Sequence, residues 1–587
     1  MATVQGTGAP APTRVEFESD RRLKRHVGVI GLLFVAIGGI IGSGWLFGAL
    51  FAAELAGPAS ILSWVIGAIM ILFIGLTYAE LGTMFPMSGG VVRYPDFAWG
   101  SFASYTNGWI TWIAVASVAP VEVEAALQYA NNYLPFLQHL VGGVAVLTPI
   151  GFVVALVIMF AFCTINMVGI RFFARINNVA VWWKLAVITL VVVMLFVFGY
   201  HSGHMANPKF GGYAPLGFHG VFTAIATAGV VFSYFGFRQG VDLAGETDNP
   251  QRNVPISIIG SVIGCGILYV LLQIAFIGTM PDAALTHGWA HIGTDFKAGI
   301  SDQVLAFGPM AGLASTLGFV WLMFVLYIDA FISPADTGLI YNMLTSRTSY
   351  AAARNRNFPP RLATVNKRGV PWRSVILSWF ICSIFFLPFP GWQKLIGFVT
   401  SATVLAFGTG PLTLVCLRRE LPDQERPFRL GGTALAWGVA FLAFLSSNLI
   451  VLWSGWDVDW KLMVVVLLGF LLLWYMQTRH GRDTPSLDFR YGWWMLVWLA
   501  GLTLLSWLSR YPDLSKHAGN VGVLDLVPLT IVTAIFSAFI MWLAFVTRLP
   551  ARAVAEKIRR PWVDAEAPEA GSAAVAEPEA SSTPASD

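Results

Sequence analysis

The chain has 587 residues, of which 56% are hydrophobic and only 12% are charged, and its mean hydropathy is +0.68. Soluble globular domains carry about 25% charged residues, so this composition excludes a soluble globule. It predicts a polytopic membrane protein.

The residues before the first apolar run are polar and include five basic side chains between Arg14 and Arg25. They contain no apolar segment of the kind that a secretory signal needs, so we expect no cleavable signal peptide. Residues 1–26 are predicted to form an N-terminal tail.

The first apolar run, residues 27–53, is long enough to cross a bilayer. It is interrupted by Ile37-Gly38-Gly39-Ile40-Ile41-Gly42-Ser43-Gly44-Trp45-Leu46-Phe47-Gly48, in which five glycines and a serine are poor helix formers. A broken helix strands backbone polar groups in hydrocarbon, so it survives only where it lines a cavity in the protein. The stretch therefore indicates a substrate site. Close helix packing is the alternative, because small residues also let two backbones approach.

Fourteen membrane spans are predicted along the chain. Their limits are residues 27–53, 60–85, 105–134, 146–168, 178–198, 221–244, 256–279, 309–341, 374–387, 395–417, 434–453, 462–476, 492–508 and 524–545. The ninth and twelfth are shorter than the roughly twenty residues that a helical span needs, so we expect them to extend into their flanks.

Basic residues are distributed very unequally between the two sides that this count defines. The side with both termini has 28 of the 36 lysines and arginines, and the other side has 6. By the positive-inside rule, both termini are predicted to be cytoplasmic, in a protein of the cytoplasmic (inner) membrane. The remaining two, Lys184 and Arg238, lie inside spans, where a charge is costly and marks a functional candidate.

Three further groups of residues form a recognisable set. They are Tyr78-Ala79-Glu80-Leu81 with Pro86, Ser88, Gly89-Gly90, Tyr94, Gly100 and Gly108-Trp109, then Phe232-Ser233-Tyr234-Phe235-Gly236-Phe237 with Glu246, Asn249-Pro250, Arg252 and Pro255, and finally Ser346-Arg347-Thr348-Ser349-Tyr350-Ala351 with Phe358-Pro359-Pro360. Together they resemble the amino acid, polyamine and organocation (APC) superfamily of secondary transporters over residues from about 28 to 417. Within it, the chain resembles bacterial proton-coupled amino acid permeases of the aspartate–proton symporter type.

The resemblance implies an all-α polytopic fold of the leucine-transporter type. Two inverted repeats of five helices, residues 27–198 and 221–417, would form a ten-helix core in which helices one and six are broken. Discontinuous helices in corresponding positions of two halves generally mark a transporter site. Residues 418–548 would add four helices, and residues 549–587 would form a cytoplasmic tail, disordered by composition from about residue 564.

The first break suits the carboxylate of an amino acid. After Ile41, the free N–H groups of Gly42, Ser43 and Gly44 are expected to begin a half-helix. The positive dipole end of such a half-helix favours an anion.

The second break suits the ammonium group. The carbonyls of Phe232, Tyr234 and Phe235 are expected to end a half-helix and to favour a cation. A zwitterionic α-amino acid satisfies both breaks. In the family, an aromatic residue at the position of Phe232 shields the substrate, and aromatic core packing is the alternative.

Arg238 departs from the family pattern, in which an acidic residue commonly follows the second break. A guanidinium beside the cavity would repel cationic substrates and bind a side-chain carboxylate with two hydrogen bonds. The alternative is a structural pair with Asp242, one helical turn on.

Lys184 lies in the fifth span, where proton-coupled members of the family carry a lysine at the position of a sodium ion in sodium-coupled relatives. The resemblance therefore implies a role in proton coupling, with Asp336 of the eighth span as its expected partner if the helices pack as in the family. Snorkelling of Lys184 to the membrane interface is the alternative.

Other buried acids are weaker candidates. Glu122 and Glu124 lie on different faces of the third span, so we expect at most one of them to face the cavity. Asp329 is a further candidate for a buried pair. Glu80 and Glu246 are expected to cap helices or to pair with loop arginines.

These observations predict a secondary active transporter that imports amino acids with protons, above all acidic ones such as aspartate or glutamate. An amino acid exchanger and a permease for neutral amino acids are alternatives that would use the same site, and a channel or a transporter-like sensor also stays open. The sequence contains no metal-ligand cluster, nucleophile motif or phosphate-binding loop, and its four cysteines have no metal or disulfide spacing, so an enzyme is not predicted. The expected partners are the amino acid, the proton and the lipid bilayer, without nucleic acid, metal or cofactor, and the proton gradient would drive transport.

Overall fold

The computed structural model describes residues 27–168, 170–298, 303–354, 357–366, 370–480, 487–511 and 520–559, which are mostly helical. The predicted tail 1–26 and the part of the C-terminal tail that is predicted to be disordered lie outside the described residues. The elements of the first half are α1 (Val29–Ile40), α2 (Gly44–Ala56), α3 (Ser60–Met84), α4 (Gly90–Trp99), α5 (Ser101–Ala130), β1 (Gln138–Val141), β2 (Val144–Leu147), α6 (Pro149–Val168), α7 (Ile170–Phe198), α8 (Gly217–Thr227), a 3₁₀ helix (Phe232–Phe237) and α9 (Arg238–Asp242).

The second half continues the helical pattern without further strands among the residues described. Its helices are α10 (Pro250–Thr279), α11 (Ile292–Asp295), α12 (Pro309–Thr316), α13 (Val320–Arg354), α14 (Trp372–Ile384), α15 (Trp392–Phe407), α16 (Thr409–Glu420), α17 (Thr433–Ser454), α18 (Trp456–His480), α19 (Phe489–Gly492), α20 (Trp494–Leu508), α21 (Leu526–Val546) and α22 (Ala551–Arg559).

Eleven helical segments in the described part of the chain are long and apolar enough to cross a membrane. A twelfth is obtained if α8 and the segment Phe232–Asp242, which are bent by 43° at a break, count as one span. Two shorter apolar helices, α1 and α14, are also present. This is an integral membrane protein, and the count of fourteen spans stays a prediction.

The first predicted span is interrupted where its glycines cluster. The α1 helix ends at Ile40 and α2 begins at Gly44, so Ile41, Gly42 and Ser43 form the break. The Ile41 N–H still donates to the Ile37 carbonyl at 2.8 Å, but the Gly42 N–H turns to the Ile40 carbonyl at 3.1 Å. The α-helical hydrogen-bond pattern therefore stops at Gly42.

The break in the sixth predicted span lies earlier than the sequence indicates. The α8 helix ends at Thr227, and Gly229 adopts a left-handed backbone with φ of 84°, which glycine reaches without steric cost. Phe232 to Phe235, whose carbonyls were expected to end the half-helix, instead lie in the 3₁₀ helix after the break. The expectation was wrong because the helix breaks at Gly229, which is not among the residues on which the prediction was based.

Other elements differ from the predicted spans at their ends. The short helix α4 and a two-stranded antiparallel hairpin, β1 with β2, occupy predicted loops on either side of α5. The ninth span is not longer than predicted, since α14 covers Trp372–Ile384, whereas the twelfth is extended in α18. The eighth is divided between α12 and α13.

Of the helices after α16, α17 makes the most extensive contacts with the rest of the protein, where it packs on α3, α8, α15 and α16. Asn448 of α17 accepts a hydrogen bond from Trp498 of α20 at 2.9 Å and donates one to Ser537 of α21 at 2.8 Å. A buried amide that is satisfied on both sides fixes the three helices in one register.

The last helix, α22, docks on α4 through Lys557. Its ammonium lies 3.1 Å from Asp96 of α4 and 2.9 Å from Asp488. Burial lowers the pKa of Lys557, but the two carboxylates outweigh burial and hold this pKa above its ordinary value. The contribution to stability is thus complete below the ordinary lysine pKa of 10.5 and is lost only above it, so this contact does not change near neutral pH.

Candidate functional site

The glycines of the two breaks let the broken helices touch. At Gly236 a Cβ atom would collide with backbone atoms of Gly39 and Ile40, and at Gly44 it would collide with the hydroxyl of Ser233. At Gly42 a Cβ would lie 2.6 Å from a carboxylate oxygen of Glu122. Gly236 is required because the first and sixth spans meet backbone to backbone there, whereas Gly42 and Gly44 leave room for neighbouring side chains. Close packing and a break therefore occur at the same place.

The N-terminus of α2 presents fewer free donors than the sequence predicts. The Ser43 N–H donates to Glu122 Oε2 at 2.8 Å, and the Gly42 N–H is used by Ile40. Among the described residues, the N–H groups of Gly44 and Trp45 have no acceptor. Of the three expected donors, only Gly44 is open, and a protein carboxylate already occupies the anion position beside it.

Aromatic residues enclose the first break. Trp392 donates from Nε1 to the Ser43 hydroxyl at 2.8 Å and packs against Phe47, with ring centroids 5.1 Å apart. Tyr269 donates from its hydroxyl to the Ile40 carbonyl at 3.1 Å. The break residues Ile41, Gly42, Ser43 and Gly44 are all buried, as are Phe232, Tyr234, Phe235 and Arg238. The site is closed from solvent in this conformation.

The three aromatic residues of the 3₁₀ helix take different positions. The Phe232 ring lies next to the Phe235 ring, with centroids 6.1 Å apart, and a Cβ at Gly44 would also approach Phe232 at 3.4 Å. The hydroxyl of Tyr234 donates to the Trp64 carbonyl at 3.3 Å, away from the α2 terminus. Phe232 is therefore the one of the three that borders the first break.

Lys184 lies at a junction of three helices. Its ammonium donates to the Gly38 carbonyl of α1 at 3.0 Å and to the Thr337 hydroxyl of α13 at 3.1 Å. It also lies 2.7 Å from Asp336 Oδ2. The side chain is completely buried in α7, so it does not snorkel to the interface. An ammonium has three donors; two of them make aligned hydrogen bonds, to Gly38 and Thr337, and the contact with Asp336 is an ion pair.

The carbonyls at the end of α1 are satisfied by the same junction. The Thr337 hydroxyl lies 3.1 Å from the Gly38 carbonyl and 3.4 Å from the Ile41 carbonyl, while accepting from Lys184. A Cβ at Gly38 would come within 2.8 Å of Val181 on α7. The α1 break is thus fastened to α7 and α13 by polar groups at close quarters.

Buried carboxylates outnumber the buried cation at this junction. Glu122, Asp329 and Asp336 are all at most 2% exposed, and so is Glu124, which lies outside the Lys184 junction. Within the described residues, Glu122 Oε1, Asp329 Oδ2 and both oxygens of Glu124 accept no hydrogen bond, and neither oxygen of Asp336 has an aligned donor. Leaving several carboxylates unpaired in a dry interior is costly.

Arg238 forms the ion pair with Asp242 that the sequence offered as the alternative to substrate binding. Its Nε donates to Asp242 Oδ2 at 2.6 Å within α9, and both side chains are buried. Asp242 is the one acceptor of an Arg238 hydrogen bond among the residues described, so the two terminal nitrogens of the guanidinium keep their donors. The pair holds the guanidinium in place, and its role toward a substrate stays a prediction.

Several neighbours of the site were not singled out from the sequence. Trp392, Thr337 and Tyr269 contact the break directly, and each lies more than 200 residues from it along the chain. The only local signal was the position of Trp392 directly after Pro390 and Gly391, at the start of a span. Glu122 was considered together with Glu124, and contact with Ser43 distinguishes the two.

Comparison with known proteins identifies the family of the chain. A family model described as amino acid permease matches residues 27–557. The chain belongs to the amino acid permease family. Its resemblance to the APC superfamily is thereby confirmed over most of its length. The relatives found by the comparison are transporters rather than enzymes.

Curated relatives of this permease cover nearly its whole length. The glutamate/serine transporter AimA of Bacillus subtilis (strain 168) is 35% identical over 523 residues, which are 88% of this chain and 93% of that protein. The aspartate-proton symporter of the same organism is 32% identical over 535 residues, 90% of this chain and 98% of the relative. The branched-chain amino acid permease BcaP, again from Bacillus subtilis, is 26% identical over 487 residues, 79% and 95% of the two chains.

Proposed function

We propose that this permease is a secondary active symporter that imports amino acids together with protons, and that acidic amino acids such as aspartate and glutamate are its preferred substrates. The observation that carries the proposal is the Lys184 junction. A buried ammonium touches the α1 break, α13 and a carboxylate at once, at 3.0, 3.1 and 2.7 Å. A charge at this depth in the membrane is energetically costly, and such charges generally mark functional sites.

Coupling follows from what a proton on Lys184 does. The charged side chain has three donors and fastens the end of α1 to α13, whereas the neutral amine has one donor fewer and no charge for Asp336. Protonation therefore favours the conformation in which the first break is held against the eighth predicted span. A ligand or proton shifts such an equilibrium only through its different affinity for the two states, and this junction supplies the difference.

Glu122 connects the proton to the amino acid. Its carboxylate occupies the Ser43 N–H at the α2 terminus, which is the position that suits a substrate carboxylate. Two carboxylates side by side repel each other, so substrate binding there requires Glu122 to move away or to take up a proton. The Gly44 N–H then serves the substrate together with the donor that Glu122 releases.

Three observations support an acidic substrate. One relative is a glutamate/serine transporter and another is an aspartate-proton symporter. In addition, Arg238 keeps two terminal nitrogens available while Asp242 holds its Nε. A guanidinium with free fork nitrogens binds a carboxylate in a bidentate manner. A preference for neutral amino acids is the rival specificity, and the serine in the name of AimA favours it.

The finer architecture is part of the proposal. It comprises fourteen spans, with a ten-helix core in residues 27–417 built from inverted repeats 27–198 and 221–417, and four additional spans in residues 418–548. Both termini are placed on the cytoplasmic side of the inner membrane because 28 lysines and arginines lie on that face and 6 on the other. No cofactor or metal takes part, and the proton gradient is the energy source.

Uptake by purified protein in liposomes tests this function. Labelled aspartate, glutamate, serine and leucine are offered with an inward proton gradient, without a gradient, and with a gradient collapsed by a protonophore. We expect accumulation of the acidic amino acids only with the gradient. Uptake that is indifferent to the gradient but requires an amino acid inside the liposome would establish an exchanger instead.

A further inference from the structure

Asp329 belongs to the same helix face as the coupling pair. Asp329, Ser333 and Asp336 are spaced four and three residues apart on α13, so they line one side of the helix over two turns. Asp329 lies on the side of the pair that leads to the start of α13 at Val320, away from the basic end at Arg354. It is completely buried and is not used by the coupling scheme above.

The contacts of Asp329 satisfy only half of its carboxyl group. Ser333 donates from its hydroxyl to Oδ1 at 2.7 Å. Oδ2 accepts no hydrogen bond in the described parts of the chain, and the Trp183 indole N–H lies near it without an aligned bond. A carboxylate with one oxygen unpartnered in a dry interior is costly, whereas the same group carrying a proton is not charged at all.

Among the described residues, Lys184 is the one cation whose charge acts on Asp329. α7 contributes Lys184, and α13 itself contributes Tyr327 and Asp336, while α1 and α12 have no titratable side chain. α5 contributes Tyr129 and Glu122, whereas the buried thiols Cys163 of α6 and Cys382 of α14 lie beside Asn342 and Thr345, more than three helical turns along α13 from Asp329. Lys184 is already 2.7 Å from Asp336, so its charge stabilises Asp329 from farther away.

The helix is weakened between the two carboxyl groups. Pro334 lies inside α13 and has no N–H for the Ala330 carbonyl, so the regular hydrogen-bond ladder is interrupted there. Such a point allows the part of α13 that carries Asp329 to move relative to the part that carries Asp336. Movement would change which of the two groups is exposed to water.

We infer that Asp329 is a second proton-carrying residue of the symporter, positioned by Ser333, so that two protons enter with each amino acid. This inference rests on the proposed function. When the site opens outward, Asp329 Oδ2 takes a proton from water, and it keeps that proton while enclosed. When the site opens to the cytoplasm, the O–H bond breaks and the proton returns to water. No other bond forms or breaks, and no further reactant is needed.

Glu124 is the matched control for this idea. It is as deeply buried as Asp329, and neither of its oxygens has a partner among the residues described. No hydroxyl donates to it, however, and no buried cation acts on it as Lys184 acts on Asp329. Its carboxylate form is therefore never stabilised, and we expect Glu124 to keep its proton throughout the cycle.

The proton-to-amino-acid ratio tests the inference. It is obtained in liposomes from the membrane potential that halts net flux at set gradients, using the amino acid with the fastest uptake in the panel above. We expect a ratio of two for the unmodified protein, one for Asp329→Asn, and two for Glu124→Gln and Asp329→Glu. Counterflow, which needs no net proton movement, should continue in Asp329→Asn.

Each other outcome is decisive. A ratio of one in the unmodified protein overturns the second proton site while leaving symport intact, and this holds even if Asp329→Asn does not fold. A ratio of zero removes the proposed symport and this inference together. A ratio of two that persists in Asp329→Asn assigns the second proton to another residue and overturns the role of Asp329.

Discussion

Two buried ion pairs show how differently one protein uses charge at depth. Glu80 at the end of α3 accepts two hydrogen bonds from Arg418, at 2.7 and 2.5 Å, and a third from the Leu430 N–H at 2.8 Å. Lys184 and Asp336 approach to 2.7 Å, but the ammonium directs its aligned hydrogen bonds to Gly38 and Thr337. The first pair is satisfied on every side and the second is not.

The difference indicates which pair can change during transport. Separating Glu80 from Arg418 would break several charge-assisted hydrogen bonds. We therefore expect this contact to hold α3 against α16 and the following loop throughout transport. The Lys184 junction contains carboxylate oxygens without partners, and a proton or a water molecule can satisfy them. The ion pair whose hydrogen bonds are all made, Glu80 with Arg418, holds helices together, whereas the pair with unpartnered oxygens, Lys184 with Asp336, lies at the candidate site.

The largest expected effect is on the break beside the unsatisfied pair. Gly44→Leu places a side chain where Ser233 and Phe232 already lie, so the backbone cannot approach a ligand and binding should be lost. Thermal-shift binding of amino acids to the purified variant measures this. Gly264→Leu is the control, because a Cβ at Gly264 meets nothing within 4 Å. Unchanged affinity in Gly44→Leu would remove the first break from the site.

Breaking the satisfied pair should affect folding rather than coupling. Glu80→Ala leaves Arg418 without its buried partner, at a cost of about 3–5 kcal/mol in the free energy of unfolding. The pair of the partly buried Lys461 with the exposed Asp457 is the control, since Lys461→Ala should cost about 1 kcal/mol. Denaturation of both variants in detergent gives the comparison. A Glu80→Ala protein as stable as Lys461→Ala would show that the contact between Glu80 and Arg418 does not stabilise the fold.

A third effect separates the two uses of Arg238. If its guanidinium binds a substrate carboxylate, Arg238→Ala should weaken aspartate or glutamate by about 2–5 kcal/mol while neutral amino acids of similar size lose much less. Competition binding with aspartate and asparagine measures the difference. Equal losses for both would assign Arg238 to the pair with Asp242 alone, and a protein that prefers neutral amino acids would end the acidic-substrate proposal.

The smallest expected effect concerns the aromatic cover of the break. Trp392→Phe keeps a ring against Phe47 but removes the donor to the Ser43 hydroxyl. One hydrogen bond contributes about 1 kcal/mol, so substrate affinity should fall by roughly fivefold with no loss of fold. Calorimetric binding to the variant checks this value. A loss above a hundredfold would place Trp392 in direct contact with the substrate.

The first break could be predicted from the sequence because its cause is local. Five glycines and a serine within twelve residues weaken any helix, and α1 does end at Ile40. The second break was predicted at the wrong place because two glycines in this segment, Gly229 and Gly236, could each interrupt the helix. Gly229 supplies the left-handed turn, whereas Gly236 is small because Gly39 and Ile40 pass against it. Only the packing of α1 distinguishes these two reasons for a glycine.

Contacts across the site could not be predicted from residue patterns alone. Lys184 and Asp336 are 152 residues apart in the chain, and their contact was anticipated from family resemblance rather than from spacing. The hydrogen bond from the Ser43 N–H to Glu122 depends on how α5 is rotated about its axis relative to α2. The positions of Glu122 and Glu124 in the sequence do not give that rotation. The contact of Trp392 with Ser43 could not be predicted either, because 349 residues separate the two in the chain.

Separating accumulation from exchange in a Lys184 variant tests the central claim most directly. Lys184→Ala, with Lys184→Ala/Asp336→Asn as a partner variant that leaves no unpaired carboxylate, is compared with the unmodified protein in liposomes. We predict that uptake driven by a proton gradient falls to the level seen with a protonophore, while counterflow of the same amino acid continues. Accumulation at the unmodified level in both variants would contradict the account.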